Sequence, residues 1–163
     1  MQFYPRRAYL GVLVAVTVLV LDQLTKAAVA EHMRLHESLT VIPGFLNLTY
    51  VRNTGAAFGL LATQSPGIRS LVLIASSLIA MGFIVWIWWR ERVSSWCRVI
   101  SLGLILGGAL GNLVDRIRLG EVVDFLDIYW GKYHWPAFNV ADSAVTVGIL
   151  VLLPSLILSP KAR

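Results

Sequence analysis

Four long apolar runs set the plan of this chain. About 20 consecutive apolar residues are needed for a helix to cross a hydrocarbon layer of about 30 Å. The runs predict spanning helices over about 8–28, 68–89, 96–113 and 138–158. The first also ends in Ala28-Val29-Ala30, the small-x-small pattern of a signal-peptide cleavage site. Asp22 and Lys26 interrupt that end, however, and three more apolar runs follow, so it is read as a span. The polar stretches 29–67 and 114–137 then fall together on one side of the membrane.

Between the first two runs the pattern changes period. Phe45-Leu46-Asn47-Leu48-Thr49-Tyr50-Val51 alternates apolar and polar residues among β-formers, which predicts a strand introduced by the Pro43-Gly44 turn. Asn53-Thr54-Gly55-Ala56-Ala57-Phe58-Gly59 follows, built mostly of small residues. It reads equally as a site of close backbone approach or as a plain turn. Trp86, Trp88 and Trp89 form an aromatic belt where the second span ends. Gly103, Gly107 and Gly111 recur every four residues in the third, the spacing of close helix packing, and Asn112 and Asp115 lie just past that stripe. The expected fold is a membrane all-α protein: four transmembrane helices with a small extracytoplasmic β element, in one domain covering 1–163.

Composition supports a membrane chain. It is 57% hydrophobic and 14% charged, with mean hydropathy +0.72, against about 45–50% and about 25% in soluble domains. The net charge of +5 is scattered among apolar spans, which favours a membrane surface as partner and no nucleic acid. Cys97 is the single cysteine, so an internal disulfide and a Cys-rich metal site are excluded. Arg6, Arg7, Arg90, Arg92, Arg98, Lys161 and Arg163 share one side with a single acid, Glu91. By the positive-inside rule both termini are cytoplasmic, and Asp124, Asp142 and the 29–70 region face outward.

Candidate chemistry narrows by elimination. Cys97 and the three histidines fall on opposite sides, which removes a Cys–His pair. Ser143 beside Asp142 with His134 lacks the G-x-S-x-G elbow. His32 and His36 are four apart, but Met33 stands where the zinc-peptidase motif needs Glu, so no metal is expected. Carboxylates remain. Asp115 next to Arg116 reads as a structural pair at a helix end. Asn139-Val140-Ala141-Asp142 resembles a helix capping box. Asp124, between Val123 and Phe125, is a lone acid in a segment returning to the membrane, where ionisable groups mark function. Asp22 and Lys26, four apart on one helical face, read as an edge ion pair or as a brace behind the site.

Asp124 and Asp142 held close would share a proton, one activating water and the other stabilising the carbonyl oxygen. That reading needs no cofactor. Rival readings are a different intramembrane hydrolase, such as one acting on lipid phosphates, or a non-enzymatic polytopic membrane protein.

Five segments together resemble one family. They are Asp22-Gln23-Leu24-Thr25-Lys26, Asn53-Thr54-Gly55-Ala56-Ala57-Phe58, Gly107 to Arg116, Val122-Val123-Asp124-Phe125, and Phe138-Asn139-Val140-Ala141-Asp142-Ser143. In order and spacing they are similar to the bacterial lipoprotein signal peptidases (signal peptidase II). The resemblance implies an inner-membrane aspartyl protease that cuts a prolipoprotein just before its diacylglyceryl-modified cysteine. It implies Asp124 and Asp142 as catalytic residues. It implies Asn53, Asn112, Arg116 and Asn139 around the substrate, with Gly55 of the same motif, Asp115, and Asp22 with Lys26 as support. It further implies membrane lipid and prolipoprotein as partners, inhibition by the cyclic peptide globomycin, and a small sheet and lid-like element formed by 29–70.

Overall fold

The computed structural model describes residues 5–55, 65–90 and 95–157. In chain order the elements are α1 (Pro5–His32), β1 (Ser38–Ile42), β2 (Leu46–Asn53), α2 (Pro66–Arg90), α3 (Trp96–Leu119), β3 (Val122–Trp130), β4 (Tyr133–His134) and α4 (Val140–Ile157). All four helices are long and apolar enough to cross a membrane.

Helix α3 is the axis of the bundle. Within its most apolar window 56% of residues are buried, against 6% for α2. Glycines allow this central position. A Cβ on Gly103 would stand 2.6 Å from the Gly11 carbonyl oxygen, and one on Gly107 would stand 2.5 Å from that of Ala15, so α1 lies directly on this face. Gly108 does the same for α4 at Ala141 and Val145. The expected stripe is therefore real, and its neighbour is α1.

Two boundaries differ from the hydropathy reading. Helix α1 reaches His32, and α3 continues past 113 to Leu119. Asp115 and Arg116, which hydropathy leaves in the polar stretch after 113, thus join Asn112 in the last two turns of α3. Hydropathy falls at these polar residues, but the backbone ladder does not. It stops at Gly120, whose φ of 74° is a left-handed cap, with its N–H donating to the Arg116 carbonyl at 3.1 Å.

The β element is larger than expected. The four strands form one antiparallel sheet in the order β1-β2-β3-β4. The predicted strand spans 46–53, and its long partner β3 comes from the stretch read as an excursion. Val51 pairs with Asp124 and Asn53 with Val122, past a bulge between Leu48 and Val51. Val29, Met33, Tyr50, Val123 and Phe125 pack together and seat the sheet on the end of α1.

Candidate active site

Asp124 lies near the start of β3 and is 2% exposed. Asn139 Nδ2 donates to its Oδ1 at 2.7 Å, and Asn53 Nδ2 donates to its Oδ2 at 3.1 Å. Burial pushes this carboxyl up to about 6. The Asn53 donor acts against that rise, the negative charge of Asp142 adds to it, and Asn139 and Lys26 oppose it.

Asp142 occupies the first turn of α4. Asn112 Nδ2 donates to its Oδ1 at 2.8 Å. The capping box forms reciprocally. The Asp142 N–H donates to Asn139 Oδ1 at 2.9 Å, and the Asn139 N–H donates to Asp142 Oδ2 at 3.3 Å. The acid that closes the capping box and the candidate catalytic residue are thus one and the same. Asn139, wholly buried, ties the two aspartates together: its side chain holds Asp124 and its backbone holds Asp142.

Asn139 Nδ2 has three acceptors in reach, the others being the Val123 carbonyl at 3.1 Å and Asn112 Oδ1 at 3.2 Å. An amide has two protons, so the acceptors compete, and the Asp124 contact is the shortest.

Lys26 sits behind this layer, 3% exposed, with three donors and three acceptors. They are Asp22 at 2.8 Å, Asp115 at 2.8 Å and Asn112 Oδ1 at 2.9 Å. Asp22 Oδ1 also accepts the Ala141 N–H at 2.9 Å, which joins α1 to the start of α4. Asp115 Oδ2 accepts the Val123 N–H at 3.2 Å, which joins α3 to β3. The bracing reading of Asp22 and Lys26 therefore describes the geometry.

The reading of Asp115 with Arg116 does not hold: Asp115 pairs with Lys26 instead. Successive helical residues point in different directions, so the two neighbours cannot share a face. Arg116 Nη1 donates to Ser77 Oγ of α2 at 3.2 Å, and its buried Nε has no acceptor among the described residues. Gln23 was not singled out from the sequence, yet its Nε2 donates to Asp115 Oδ1 at 2.9 Å. Its place between Asp22 and Lys26 in the first motif was the available signal.

Gly55 has φ 75°, and its N–H donates to Asn53 Oδ1 at 2.8 Å. That contact turns the Asn53 amide so that Nδ2 faces Asp124. A Cβ at Gly55 would collide with the Leu73 side chain, so the close-approach reading of this motif holds at Gly55. Ala56, Ala57, Phe58 and Gly59, with any lid they form, lie outside the described residues.

His134 Nδ1 is 2.9 Å from Asp127, and Ser143 Oγ donates to the Asn139 carbonyl at 2.8 Å, so no Ser–His pair forms. Helix α1 ends at His32, which contacts the Ala28 carbonyl at 2.9 Å. His36 lies beyond it in a turn with φ 69°, so the two histidines do not share a helical face.

The family model described as signal peptidase (SPase) II matches residues 14–158. A lipoprotein signal peptidase of Syntrophus aciditrophicus is 55% identical over 146 residues, covering 90% of this chain and 91% of its own. One from Desulforapulum autotrophicum is 54% identical over 144 residues, covering 86% and 87%. A bacterial membrane enzyme solved by the in meso method at 1.9 Å superposes with a TM-score of 0.81 at 35% identity, over 92% of this chain and 94% of its own.

Proposed function

The chain belongs to the signal peptidase II family, and we propose that Asp124 and Asp142 are its metal-free catalytic pair. Signal-peptide removal from prolipoproteins is the activity of that family. The cut falls just before a diacylglyceryl-modified cysteine. The observation that carries the aspartyl reading is the double hold of Asn139, which ties a buried strand carboxyl to a helix-start carboxyl.

Burial favours the neutral form of Asp124, so in the reacting state Asp124 carries the proton of the pair. Asp142 takes a proton from water, and the water oxygen bonds to the scissile carbonyl carbon. Asp124 donates a hydrogen bond to the carbonyl oxygen as negative charge develops there. When the C–N bond breaks, the proton held by Asp142 passes to the leaving amine. Asn112, Asn139 and Asn53 offer only donors to the carboxylates, which keeps both oriented throughout. Arg116, with an unused buried donor, is placed to hold a substrate carbonyl.

The enzyme sits in the bacterial inner membrane with both termini cytoplasmic and the pair at the outer face. Membrane lipid surrounds it, and globomycin-type peptides inhibit it. The test is cleavage of a diacylglyceryl-modified prolipoprotein by the purified full chain, with EDTA present throughout. Parent cleavage with Asp124→Asn and Asp142→Asn both folded and inactive is the expected result. Turnover by either variant, or loss of parent activity in EDTA, overturns the mechanism.

A further inference from the structure

The six tryptophans fall into two groups at opposite ends of the bundle. Trp86, Trp88, Trp89 and Trp96 cluster where α2 ends and α3 begins. Trp130 and Trp135 lie at the other end, on the β3–β4 hairpin and just after it. Burial along β3 falls steadily, from buried Val122 to exposed Trp130. The strand leaves the core as it leaves Asp124. Trp130 lies six positions beyond Asp124, about 20 Å of extended chain.

The end of this hairpin is apolar and uncovered among the described residues. Trp130 is 86% exposed, Tyr133 73% and Trp135 68%. With Phe45 and Ile128 they edge an open groove of about 510 Å³. Lys132 Nζ lies 5.6 Å above the Tyr133 ring, adding one cation to the patch. Trp and Tyr with a flanking Lys is the mixture found at headgroup depth, where an aromatic body meets lipid and its polar edge meets water. Asp127, the acid of the hairpin, is taken up by Asn47 at 2.9 Å and His134, so the outermost charge is basic.

We propose that the β3–β4 hairpin inserts Trp130, Tyr133 and Trp135 into the headgroup layer of the outer leaflet, with Lys132 against anionic lipid phosphate. The occupant is a lipid surface because the same strand is rooted in a membrane-spanning bundle, beginning at Val122 just after α3 ends at Leu119. The chain's aromatic belt is then doubled, one group at each interface. Anchored at its far end, β3 is held at both extremities, and the tilt of the strand that carries Asp124 is set by the bilayer as well as by the bundle.

The test reads depth and needs no assumption about which residues cleave. In the full chain, with Cys97→Ser, a nitroxide is attached at Trp130→Cys, and the protein is placed in phosphatidylethanolamine–phosphatidylglycerol vesicles. Collision with dissolved oxygen should exceed collision with a water-soluble nickel chelate, and the excess should shrink when phosphatidylglycerol is omitted. Preference for the chelate overturns the proposal. So does a label shielded only when prolipoprotein is added, which would make the patch a substrate surface. Should the labelled protein lose its fold, quenching of tryptophan emission by brominated acyl chains decides the matter. A quenchable fraction that falls in Trp130→Phe with Trp135→Phe supports insertion, the remainder belonging to the four tryptophans at the other interface, and an unchanged fraction overturns it.

Discussion

Lys26 donates to the side-chain oxygen of Asn112 at 2.9 Å, and this bond fixes the direction of the donor that reaches Asp142. An ammonium cannot accept, so Asn112 Oδ1 must face Lys26 and Nδ2 must face Asp142, 2.8 Å away. The Asn139 amide is set the same way by the Asp142 backbone N–H, and Asn53 by that of Gly55. Each amide at the pair is turned by a group that can only donate.

Lys26→Met should lower turnover by about 10²-fold, because loss of orientation close to the chemistry has that scale. It should also destabilise the protein by about 3–5 kcal/mol, since Asp22 and Asp115 stay buried without their cation. Adding Asp115→Asn restores the local charge balance and part of the melting temperature. If Lys26 acts through Asn112, the Lys26→Met, Asn112→Ala double variant turns over no more slowly than Asn112→Ala. Multiplying losses would show a separate role.

Asn139→Ala removes a helix cap and the shortest donor to Asp124 together. Loss of the cap alone costs about 1 kcal/mol. A modest fall in the melt with near-complete loss of cleavage is the expected combination. A variant that melts lower yet cleaves at the parent rate would make Asn139 structural only.

The buried Asp124 carboxyl gives stability a specific pH dependence. Its value in the fold, about 6, lies above the unfolded value of about 3.9. The folded chain therefore binds this proton more tightly. The stabilisation is full below about pH 4, shrinks as pH rises to about 6, and is gone above that. The loss is about 3 kcal/mol in total. Melts of parent and Asp124→Asn in detergent should diverge across that window in favour of the variant and run parallel above it. A gap that stays constant with pH would remove burial as the dominant influence on this group.

Gly107→Leu and Gly111→Ala should fail differently. A side chain at Gly107 enters the backbone of Ala15 on α1 and separates two spans, so the melt falls by at least the 1–3 kcal/mol typical of overpacking. A methyl at Gly111 meets the Asp22 carboxylate instead. Cleavage should drop there more than stability does. Parent-like melting of Gly107→Leu would contradict the packing of α1 on α3.

The four spans, the strand after Pro43-Gly44 and the capping box were all legible from the sequence, because each is a local pattern of fixed period or spacing. Strand β3 was not. Val122–Trp130 alternates poorly, and its partner β2 lies some 70 residues earlier, beyond any local window. The exchange of Arg116 for Lys26 as the partner of Asp115 was hidden for a related reason. Neighbours in sequence suggested a pair, whereas α1 brings Lys26 across from another span. Gln23 went unnoticed because a single amide on an apolar helix carries no charge pattern. The family motifs name positions along the chain, but not who holds whom.

The bond from the Ala141 N–H to Asp22 Oδ1 spans 119 positions of sequence, from the first transmembrane helix to the last. Asp124 is held by Asn139 at the threshold of that last helix, and Asp142 lies within it. If these two aspartates form the proposed pair, its assembly waits on the fourth helix, because a chain with only its first three helices made holds neither the residue that ties the pair together nor the second carboxylate.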